Sequence, residues 1–271
     1  MKTIGVFDSG VGGLSVLRAL LAEMPGQRFV YAADSAYAPY GERTAEDVSE
    51  RTHRVTQHLR EGYAIDALVV ACNTATALAI DDLRRQYPHL PIVGVEPALK
   101  PAASLSRNGR IGVLATRGTL GSARVAALRD RLVAASPHPL HFSFQPCDGL
   151  AGAIERHDTA AIDTLSARYV NELLHGEHRD DKEPIDTVVL GCTHYPFAAD
   201  LLGRLCGPAV MLVETGVPVA RRTRDVLELP VPTEGMTPAS TTLLSTGNPL
   251  ALAEAAHRWL GLRADAQALP V

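Results

Sequence analysis

Two of the four cysteines, Cys72 and Cys192, occupy matching positions in the sequence. Each comes seven residues after the isoleucine of an Ile-Asp pair, with a short apolar run in between. Polar residues follow at once, Asn73-Thr74 after the first thiol and Thr193-His194 after the second. A thiol between a buried strand and a helix feels the positive end of the helix dipole, which in general favours the thiolate. One thiolate and one thiol are therefore expected to coexist.

A pair of thiols of this kind predicts proton transfer on two sides of one carbon. Racemisation removes a proton from one face and returns one to the other, and two groups of the same type serve both directions by exchanging roles. Two other classes stay open at this point. A dithiol oxidoreductase needs its sulfurs bonded or nearly so, and a cysteine hydrolase needs one Cys and a positioned His. The other cysteines, Cys147 and Cys206, are predicted to be packing residues.

A glycine-rich turn follows the first apolar run of the chain. The turn reads DSGVGG at 8–13, and Asp34 closes the next apolar run. This order has some likeness to a dinucleotide-binding fingerprint, but Ser15 stands where the third glycine belongs. The backbone N–H groups of the turn are instead predicted to hold a small anion such as a carboxylate.

Short apolar runs alternate with segments of helical period, which is typical of an α/β protein with open, mainly parallel sheets and helices on both faces. One helix is clearly marked, because Thr44 and Asp47 form a capping pair and Gly62 is predicted to end it. The runs predicted to be buried strands are 4–7, 29–33, 67–71, 92–95, 111–114, 188–190, 210–213 and 243–244.

Two internal repeats indicate that the chain consists of related halves. The run Ile-Gly-Val-Phe at 4–7 is echoed by Ile-Gly-Val-Leu at 111–114. The run that begins with Ile-Asp and leads to Cys72 is echoed, in the same order along the chain, by the run that leads to Cys192. We therefore predict two pseudo-symmetric α/β domains, with the active site in the cleft between them.

The length of the chain agrees with two domains, because domains average roughly 150 residues and the chain has 271. Residues 1–97 and 210–271 are predicted to form the first domain. Residues 98–209 are predicted to form the second, with the charged stretch at 178–184 as the candidate for an inserted loop.

The overall composition argues against several classes of partner. Lys+Arg number 26, Asp+Glu number 30 and the net charge is −4, a balance that disfavours binding to the nucleic-acid backbone. The sequence has no run of ~18 apolar residues of the kind that spans a membrane. It also shows no export or lipidation signal, so we expect a cytoplasmic protein with free thiols.

The residue types also predict chemistry without a cofactor or a metal. A pyridoxal enzyme needs a Schiff-base lysine, and none of Lys2, Lys100 and Lys182 stands at the end of a predicted strand. His, Cys and Asp residues do not show the spacing of metal ligands. We therefore expect neither a bound cofactor nor a metal site.

Four motifs together resemble the glutamate racemase family: FDSGVGGLSV at 7–16, PYG at 39–41, ACNTA at 71–75 and LGCTHYP at 190–196. The resemblance extends from residue 3 to about residue 228. It implies cofactor-independent interconversion of L- and D-glutamate by two cysteines, supplying D-glutamate for peptidoglycan. A racemase for a related amino acid such as aspartate is the alternative within the same superfamily. The resemblance also implies a homodimer.

The same resemblance assigns roles to individual residues. Cys72 is implied to deprotonate D-glutamate, and Cys192 to deprotonate L-glutamate. Asp8, His194 and Glu155 are implied to be auxiliary polar residues beside the two thiols. The residues implied to line the substrate site are Ser9, Pro39, Tyr40, Gly41, Asn73, Thr74, Thr116, Thr119 and Thr193.

Overall fold

The computed structural model describes residues 1–176, 183–233 and 235–271, and the chain divides into two compact units. The first unit comprises Met1–Val95 and Gly216–Val271, and the second comprises Glu96–Thr215. Most of the charged stretch at 178–184, including Lys182, lies outside the described residues.

Strands and helices alternate throughout the described residues. The first unit begins with β1 (Thr3–Asp8), α1 (Leu14–Glu23), β2 (Arg28–Ala33), α2 (Ala45–Tyr63), β3 (Ala67–Val70), α3 (Asn73–Gln86) and β4 (Ile92–Gly94). The second unit contains α4 (Leu99–Leu105), β5 (Arg110–Ala115), α5 (Arg117–Leu120), α6 (Ala123–Ala135), β6 (His141–Pro146), α7 (Leu150–Glu155), α8 (Thr159–His175), β7 (Thr187–Leu190), α9 (Ala199–Cys206) and β8 (Met211–Val213). The first unit then closes with α10 (Gly216–Val226), β9 (Ser240–Ser245), α11 (Pro249–Leu260) and β10 (Ala266–Ala268).

The sheet of the first unit has the strand order β10-β9-β2-β1-β3-β4, and its neighbouring strands are all parallel. Successive side chains of a strand point to opposite faces of the sheet. Val69 and Val70 of β3 are both fully buried, so both faces are covered. Helices α2 and α3 pack against each other, and α1 packs against α10 and α11. This is the covered parallel sheet that the alternating apolar runs predict, and the α/β fold class is confirmed.

The sheet of the second unit repeats four neighbouring strands of the first. Its order is β6-β5-β7-β8, which corresponds strand by strand to β2-β1-β3-β4. The register repeats as well, because Ile4 of β1 lies opposite Ala67 and Ile111 of β5 lies opposite Thr187. Ala67 and Thr187 each follow the isoleucine of an Ile-Asp pair by two residues. The repeats in the sequence therefore correspond to equivalent, equally registered strands.

The boundaries between the units differ from the predicted ones at both crossings. Strand β8 (Met211–Val213) pairs with β7, so these residues belong to the second unit although the predicted boundary at 210 assigns them to the first. Glu96 accepts a hydrogen bond from Arg124 Nε at 2.6 Å, which ties it to the second unit as well. Strand pairing and side-chain contacts, neither of which is visible in composition, decide both positions.

Three local features differ from the sequence-based expectation. Strands β6 (His141–Pro146) and β10 (Ala266–Ala268) were not predicted, because both lie at sheet edges and lack a buried apolar run. Gly62 lies inside α2 and does not end it. The helix continues to Tyr63, and Ala64 in the left-handed conformation forms the C-cap through its N–H bond to Arg60 O.

No helix among the described residues is both long and apolar enough to span a bilayer.

Replacing Thr44 with Ala should weaken the start of α2. Thr44 Oγ1 accepts a hydrogen bond from the Asp47 N–H at 3.2 Å, and loss of such a cap costs about 1 kcal/mol. We expect Thr44→Ala to lower the melting temperature, followed by circular dichroism, by roughly 2–4 °C. Thr44→Ser keeps the acceptor and should melt like the wild type; equal melting temperatures for the two variants would contradict the capping role.

Candidate active site

The first thiol lies at the carboxyl end of the first sheet. Cys72 lies two residues beyond the end of β3, has an extended backbone, and is the N-cap residue of α3. Its Sγ accepts a hydrogen bond from the Ala75 N–H at 3.4 Å and lies 3.7 Å from Ser9 Oγ. Only 5% of the residue is exposed. The cap interaction places the sulfur at the positive end of α3, where negative charge on it is favoured.

Asp8 organises the glycine-rich turn beside this thiol. It ends β1, is fully buried, and its Oδ2 accepts hydrogen bonds from the N–H groups of Gly10 at 3.1 Å and Gly13 at 2.9 Å. Gly13 must lack a side chain, because a Cβ there would lie 2.5 Å from the Asp8 Cβ. The carboxylate that these two N–H groups hold is therefore that of Asp8. The prediction that they hold an external anion is wrong for these two groups.

Asn73 is the clearest sign of a ligand in the first unit. Its side chain is buried next to Cys72, and neither its Nδ2 nor its Oδ1 has a hydrogen-bond partner within the described residues. A buried polar group without a partner costs about 1–3 kcal/mol. A bound molecule with both an acceptor and a donor would satisfy both atoms. Thr74, also buried, is the next residue of the same helical turn.

The Pro39-Tyr40-Gly41 segment lies in the connection between β2 and α2, where Tyr40 begins a short 3-10 turn. Tyr40 is only 1% exposed, and its hydroxyl donates a 2.6 Å hydrogen bond to Asp34 Oδ2. Its ring packs against Phe7 with the centroids 6.1 Å apart. The Tyr40 side chain is thus committed to the interior, which leaves backbone groups as the part of this segment suited to contact a ligand.

The second thiol stands at the equivalent place in the second unit. Cys192 follows β7 by two residues, just as Cys72 follows β3, and is 6% exposed. Its Sγ lies 3.7 Å from His194 Nδ1. His194 Nε2 is 2.7 Å from Oε2 of Glu155, the last residue of α7. The structure therefore brings three of the predicted residues into one chain of contacts.

His194 is buried between a thiol and a carboxyl group, and its pKa reflects both. Burial by itself lowers the pKa of the imidazole, because it removes water from the charged form. The hydrogen bonds to Cys192 and Glu155, and the negative charge of these groups, act in the opposite direction and outweigh burial. The pKa of His194 is therefore raised well above its usual value, and the protonated ring is the form this site favours.

The threonines assigned to the second unit mostly serve the backbone. Thr116 is the N-cap of α5, where its Oγ1 accepts the Thr119 N–H at 3.3 Å and lies 2.9 Å from Thr119 Oγ1. Thr119 is fully buried, and Thr193, next to Cys192, is buried as well. Thr116 directly follows β5, which ends at Ala115, so it lies at the carboxyl edge of its sheet.

The remaining cysteines are packed as expected. Cys147 is buried, and its thiol donates to Gln145 O at 3.4 Å, while Cys206 is buried at the end of α9. Burial raises the pKa of both thiols, to about 11 for Cys206. All four cysteines are free. In the part of the chain that the structure describes, no three His, Cys, Asp or Glu side chains are grouped so that they could hold a metal ion.

Asp34 and Arg51 form a pair that the sequence did not reveal. In the sequence Asp34 resembles only the acidic residue of a dinucleotide motif. In the structure it directly follows β2, and its carboxylate binds the guanidinium of Arg51 and the hydroxyl of Tyr40. The position of Asp34 after a buried strand was a usable signal. The partner on α2 was not, since nothing in the spacing of Arg51 distinguishes it from the other arginines of that helix.

Comparisons with known proteins agree on one family. The model of the Asp/Glu/Hydantoin racemase family matches residues 4–220. The glutamate racemases of Pseudomonas paraeruginosa and Ectopseudomonas mendocina are 48% and 49% identical to this chain over 226 residues, 83% of this chain and 81% of each relative.

Two solved structures extend the likeness over the whole chain. Glutamate racemase isoform RacE1 from Bacillus anthracis is 28% identical with a TM-score of 0.84. The Escherichia coli glutamate racemase, in complex with L-glutamate and the activator UDP-MurNAc-Ala, is 31% identical with a TM-score of 0.81. Each covers 100% of this chain and 98% of its own. The resemblance carried by the four motifs is confirmed: the chain belongs to the Asp/Glu/Hydantoin racemase family, among its glutamate racemases, and is an amino-acid racemase.

Proposed function

We propose that this protein interconverts L- and D-glutamate without a cofactor, using Cys72 and Cys192 as its two acid/base groups. In one direction the thiolate of one cysteine takes the α-proton and becomes a thiol, leaving the electron pair on the α-carbon. The thiol of the other cysteine then gives its proton to the opposite face of that carbon and becomes the thiolate. No atom is oxidised or reduced, and the reverse reaction exchanges the two roles.

The observation that carries this proposal is the equivalent placement of the two thiols. Cys72 lies two residues beyond the end of β3, and Cys192 lies two residues beyond the end of β7. These two strands occupy corresponding positions in the order and register of the two sheets. Carboxyl ends of parallel strands are where ligands bind in open α/β sheets. The choice of glutamate over aspartate is supported by relatives at nearly half identity that carry the name glutamate racemase.

The surroundings of Cys72 suit a thiol that receives and returns a proton. The Ala75 N–H and the start of α3 favour negative charge on its sulfur, and Ser9 Oγ is the neighbouring polar atom at 3.7 Å. Asn73 and Thr74 offer polar groups for the amino acid that is bound here. We assign Asp8 to shaping this half of the site, because its carboxylate holds the turn that carries Ser9.

At Cys192, negative charge on the sulfur is favoured by a charged side chain instead of a helix start. A protonated His194 beside the sulfur favours the thiolate, and Glu155 favours the protonated ring. We therefore assign His194 and Glu155 as auxiliary residues of the second acid/base group. Their action is electrostatic, since neither the ring nor the carboxylate is required to touch the α-carbon.

The intermediate carries negative charge on the α-carbon and its carboxylate, with no cofactor to delocalise it. Hydrogen-bond donors held in advance in a dry site stabilise such charge better than water does. We propose that the backbone of 39–41 and the side chains of Ser9, Asn73 and Thr74 supply donors in the first unit. Thr116, Thr119 and Thr193 are proposed to do so in the second.

In the cell, we propose that the product D-glutamate serves peptidoglycan synthesis. The four free thiols suit a reducing compartment, which supports a cytoplasmic location. The homodimer implied by the resemblance stays a prediction.

A cysteine hydrolase is the second candidate that an observation favours, because Cys192, His194 and Glu155 have the order of contacts that activates a nucleophilic thiol. That role would leave the repeated Cys72 without a purpose. It would also leave the α-hydrogen of an amino acid in place, which separates the two candidates by experiment.

Replacing either proposed acid/base with serine should slow racemisation by orders of magnitude. Serine nearly preserves volume but ionises far less readily, so we expect Cys72→Ser and Cys192→Ser each to lower kcat by about 10²–10⁴-fold or more in a polarimetric assay. Cys206→Ser changes a buried thiol of the same unit as Cys192 and should remain near wild-type activity. Near-normal racemisation by Cys72→Ser or Cys192→Ser would refute the two-thiol assignment.

Isotope exchange in D₂O should reveal which thiol serves which enantiomer. With the wild type, the product should gain deuterium at the α-carbon early, with less label in recovered substrate. Cys192→Ser retains Cys72 and should exchange the α-hydrogen of D-glutamate alone, whereas Cys72→Ser should exchange that of L-glutamate alone, both measured by NMR. Heavy labelling of substrate before any inversion by the wild type would favour a single base.

Glu155→Gln should lower the pKa of His194. The variant removes one of the two anionic partners that raise the pKa of the ring, so a histidine NMR titration should find His194 deprotonating at lower pH than in the wild type. Folding raises this pKa, so the stabilisation is present at low pH and is lost as the pH rises past the folded-state value. Glu155→Gln should therefore destabilise the protein more near pH 6 than at a pH above the pKa that the same titration finds for His194 in the wild type.

The matched control for this titration is Glu172→Gln, which makes the same charge change at a carboxylate bound to Arg168 in the same unit. It should leave the His194 titration unaltered. A His194 pKa that does not move in Glu155→Gln would mean that Cys192 alone sets it.

A further inference from the structure

A buried ion pair stands behind the connection between β2 and α2. Asp34 is fully buried, and its two carboxylate oxygens accept hydrogen bonds from Arg51 Nε at 2.9 Å and Arg51 Nη2 at 2.8 Å. The side chain of Arg51 is only 6% exposed. This is a two-point contact, in which the flat guanidinium fixes the orientation of the carboxylate as well as its charge.

The pair reaches the Pro39-Tyr40-Gly41 segment through two aromatic side chains. Asp34 Oδ2 also accepts the Tyr40 hydroxyl at 2.6 Å, so the same oxygen holds Arg51 and Tyr40. The guanidinium carbon of Arg51 lies 3.8 Å from the centroid of the Tyr37 ring, a cation–π contact. Tyr37 and Tyr40, which lie on either side of Pro39, thus both contact the Asp34–Arg51 ion pair.

The C-terminal part of the first unit completes this support. Arg51 Nη1 and Nη2 lie 3.3 and 3.4 Å from Val271 O. The Ala36 N–H donates to Thr246 Oγ1 at 3.1 Å, and Gly247 packs so closely on Ser35 that a Cβ there would lie 3.1 Å from the Ser35 Cβ. Thr246, Gly247 and Val271 lie beyond residue 220, where the match to the family model ends.

Stability alone is a poor reason for such a pair. Removing two charges from water costs several kcal/mol per ion, and well-packed apolar residues of similar volume are often equally or more stable. What an apolar pair cannot supply is a fixed hydrogen-bond geometry for Tyr40. The Tyr40 phenol is also unfit for proton transfer, because burial first and the adjacent Asp34 second raise its pKa far above the usual value. Its side chain therefore serves to hold a position.

We propose that Asp34 and Arg51 are positioning residues for substrate binding. Through Tyr40 and Tyr37 they hold residues 35–43 so that the backbone of 39–41 is presented to glutamate, with Thr246 and Val271 as the outer support. This inference rests on the proposed function, in which the 39–41 backbone binds substrate. Asp34 and Arg51 thus act on substrate binding, whereas the proton transfers are carried out by the two thiols.

Arg51→Lys tests the proposal with a variant that keeps the charge and loses the two-point contact. We expect KM for glutamate to rise about tenfold while kcat stays within about threefold, because the ground state and the transition state lose the same contacts. Tyr40→Phe, which removes only the hydroxyl, should change KM in the same direction. The matched control is Arg54→Lys on the same helix, where the arginine is exposed and pairs with Glu50 at 2.6 Å; its KM should equal that of the wild type.

The double variant Asp34→Asn/Arg51→Met separates positioning from stability. It removes both buried charges, so it should melt near the wild-type temperature and still bind glutamate weakly. A double variant with wild-type KM would overturn the proposal, as would an Arg51→Lys enzyme whose melting temperature falls while KM is unchanged. A fall in kcat at constant KM would also overturn it, since the network would then act on the chemical step.

Hydrogen–deuterium exchange of the unliganded protein gives a readout independent of activity. The amides of residues 35–43 should exchange faster in Arg51→Lys than in the wild type or Arg54→Lys. Unchanged exchange in Arg51→Lys would refute the positioning role even in an active enzyme. A wild type that does not racemise glutamate would instead refute the proposed function, and the exchange experiment would still report on the loop.

Discussion

The hydrogen-bonded register between parallel strands is the constraint on which the rest of the structure depends. β1 pairs with β3, and β5 pairs with β7, at equivalent residues in the two units. A strand that slipped by one residue would turn every side chain to the other face. The register therefore determines where each strand stops, and with it where Cys72 and Cys192 meet the helix or turn that follows. The glycine-rich turn after β1 and the threonine cap after β5 obtain their places from the same pairing.

The two thiols are equivalent in position and different in surroundings. Cys72 has a backbone N–H and a serine hydroxyl as its polar neighbours, whereas Cys192 has a histidine backed by a carboxyl group. The proposed two-base reaction needs each sulfur to exist as thiol and as thiolate, so each needs some means of favouring the charged form. A helix start and a cationic ring are two such means. The repeat thus preserves the geometry of the strands while the side chains around them have diverged.

In the first unit, a buried ion pair orders the connection between β2 and α2, for which the sequence predicts no regular structure. Asp34 and Arg51 hold the Tyr40 hydroxyl. Thr246, just after β9, bonds to the same connection, and Val271, after β10, bonds to Arg51. Connections at the carboxyl edge of a sheet are exposed to water and are mobile unless something orders them. Here the two-point Asp34–Arg51 contact and the residues that follow β9 and β10 supply that order. These contacts connect the C-terminal segment to the proposed substrate contact.

Most of the local elements, and the residues proposed to carry the chemistry, are readable from the amino-acid sequence. Apolar runs predicted eight of the strands because buried parallel strands need unbroken apolar residues, and the matched Ile-Asp runs predicted the equivalence of Cys72 and Cys192. Tertiary packing decided which partner each polar group and each edge strand meets. The amides of the glycine-rich turn bind Asp8, and the Tyr40 hydroxyl bonds to the buried Asp34. Arg51 is the arginine of α2 that pairs with Asp34, and β8 joins the second sheet. Side-chain hydrogen bonds of this kind leave no period or spacing in the sequence, because they are satisfied by whichever group the fold brings within reach.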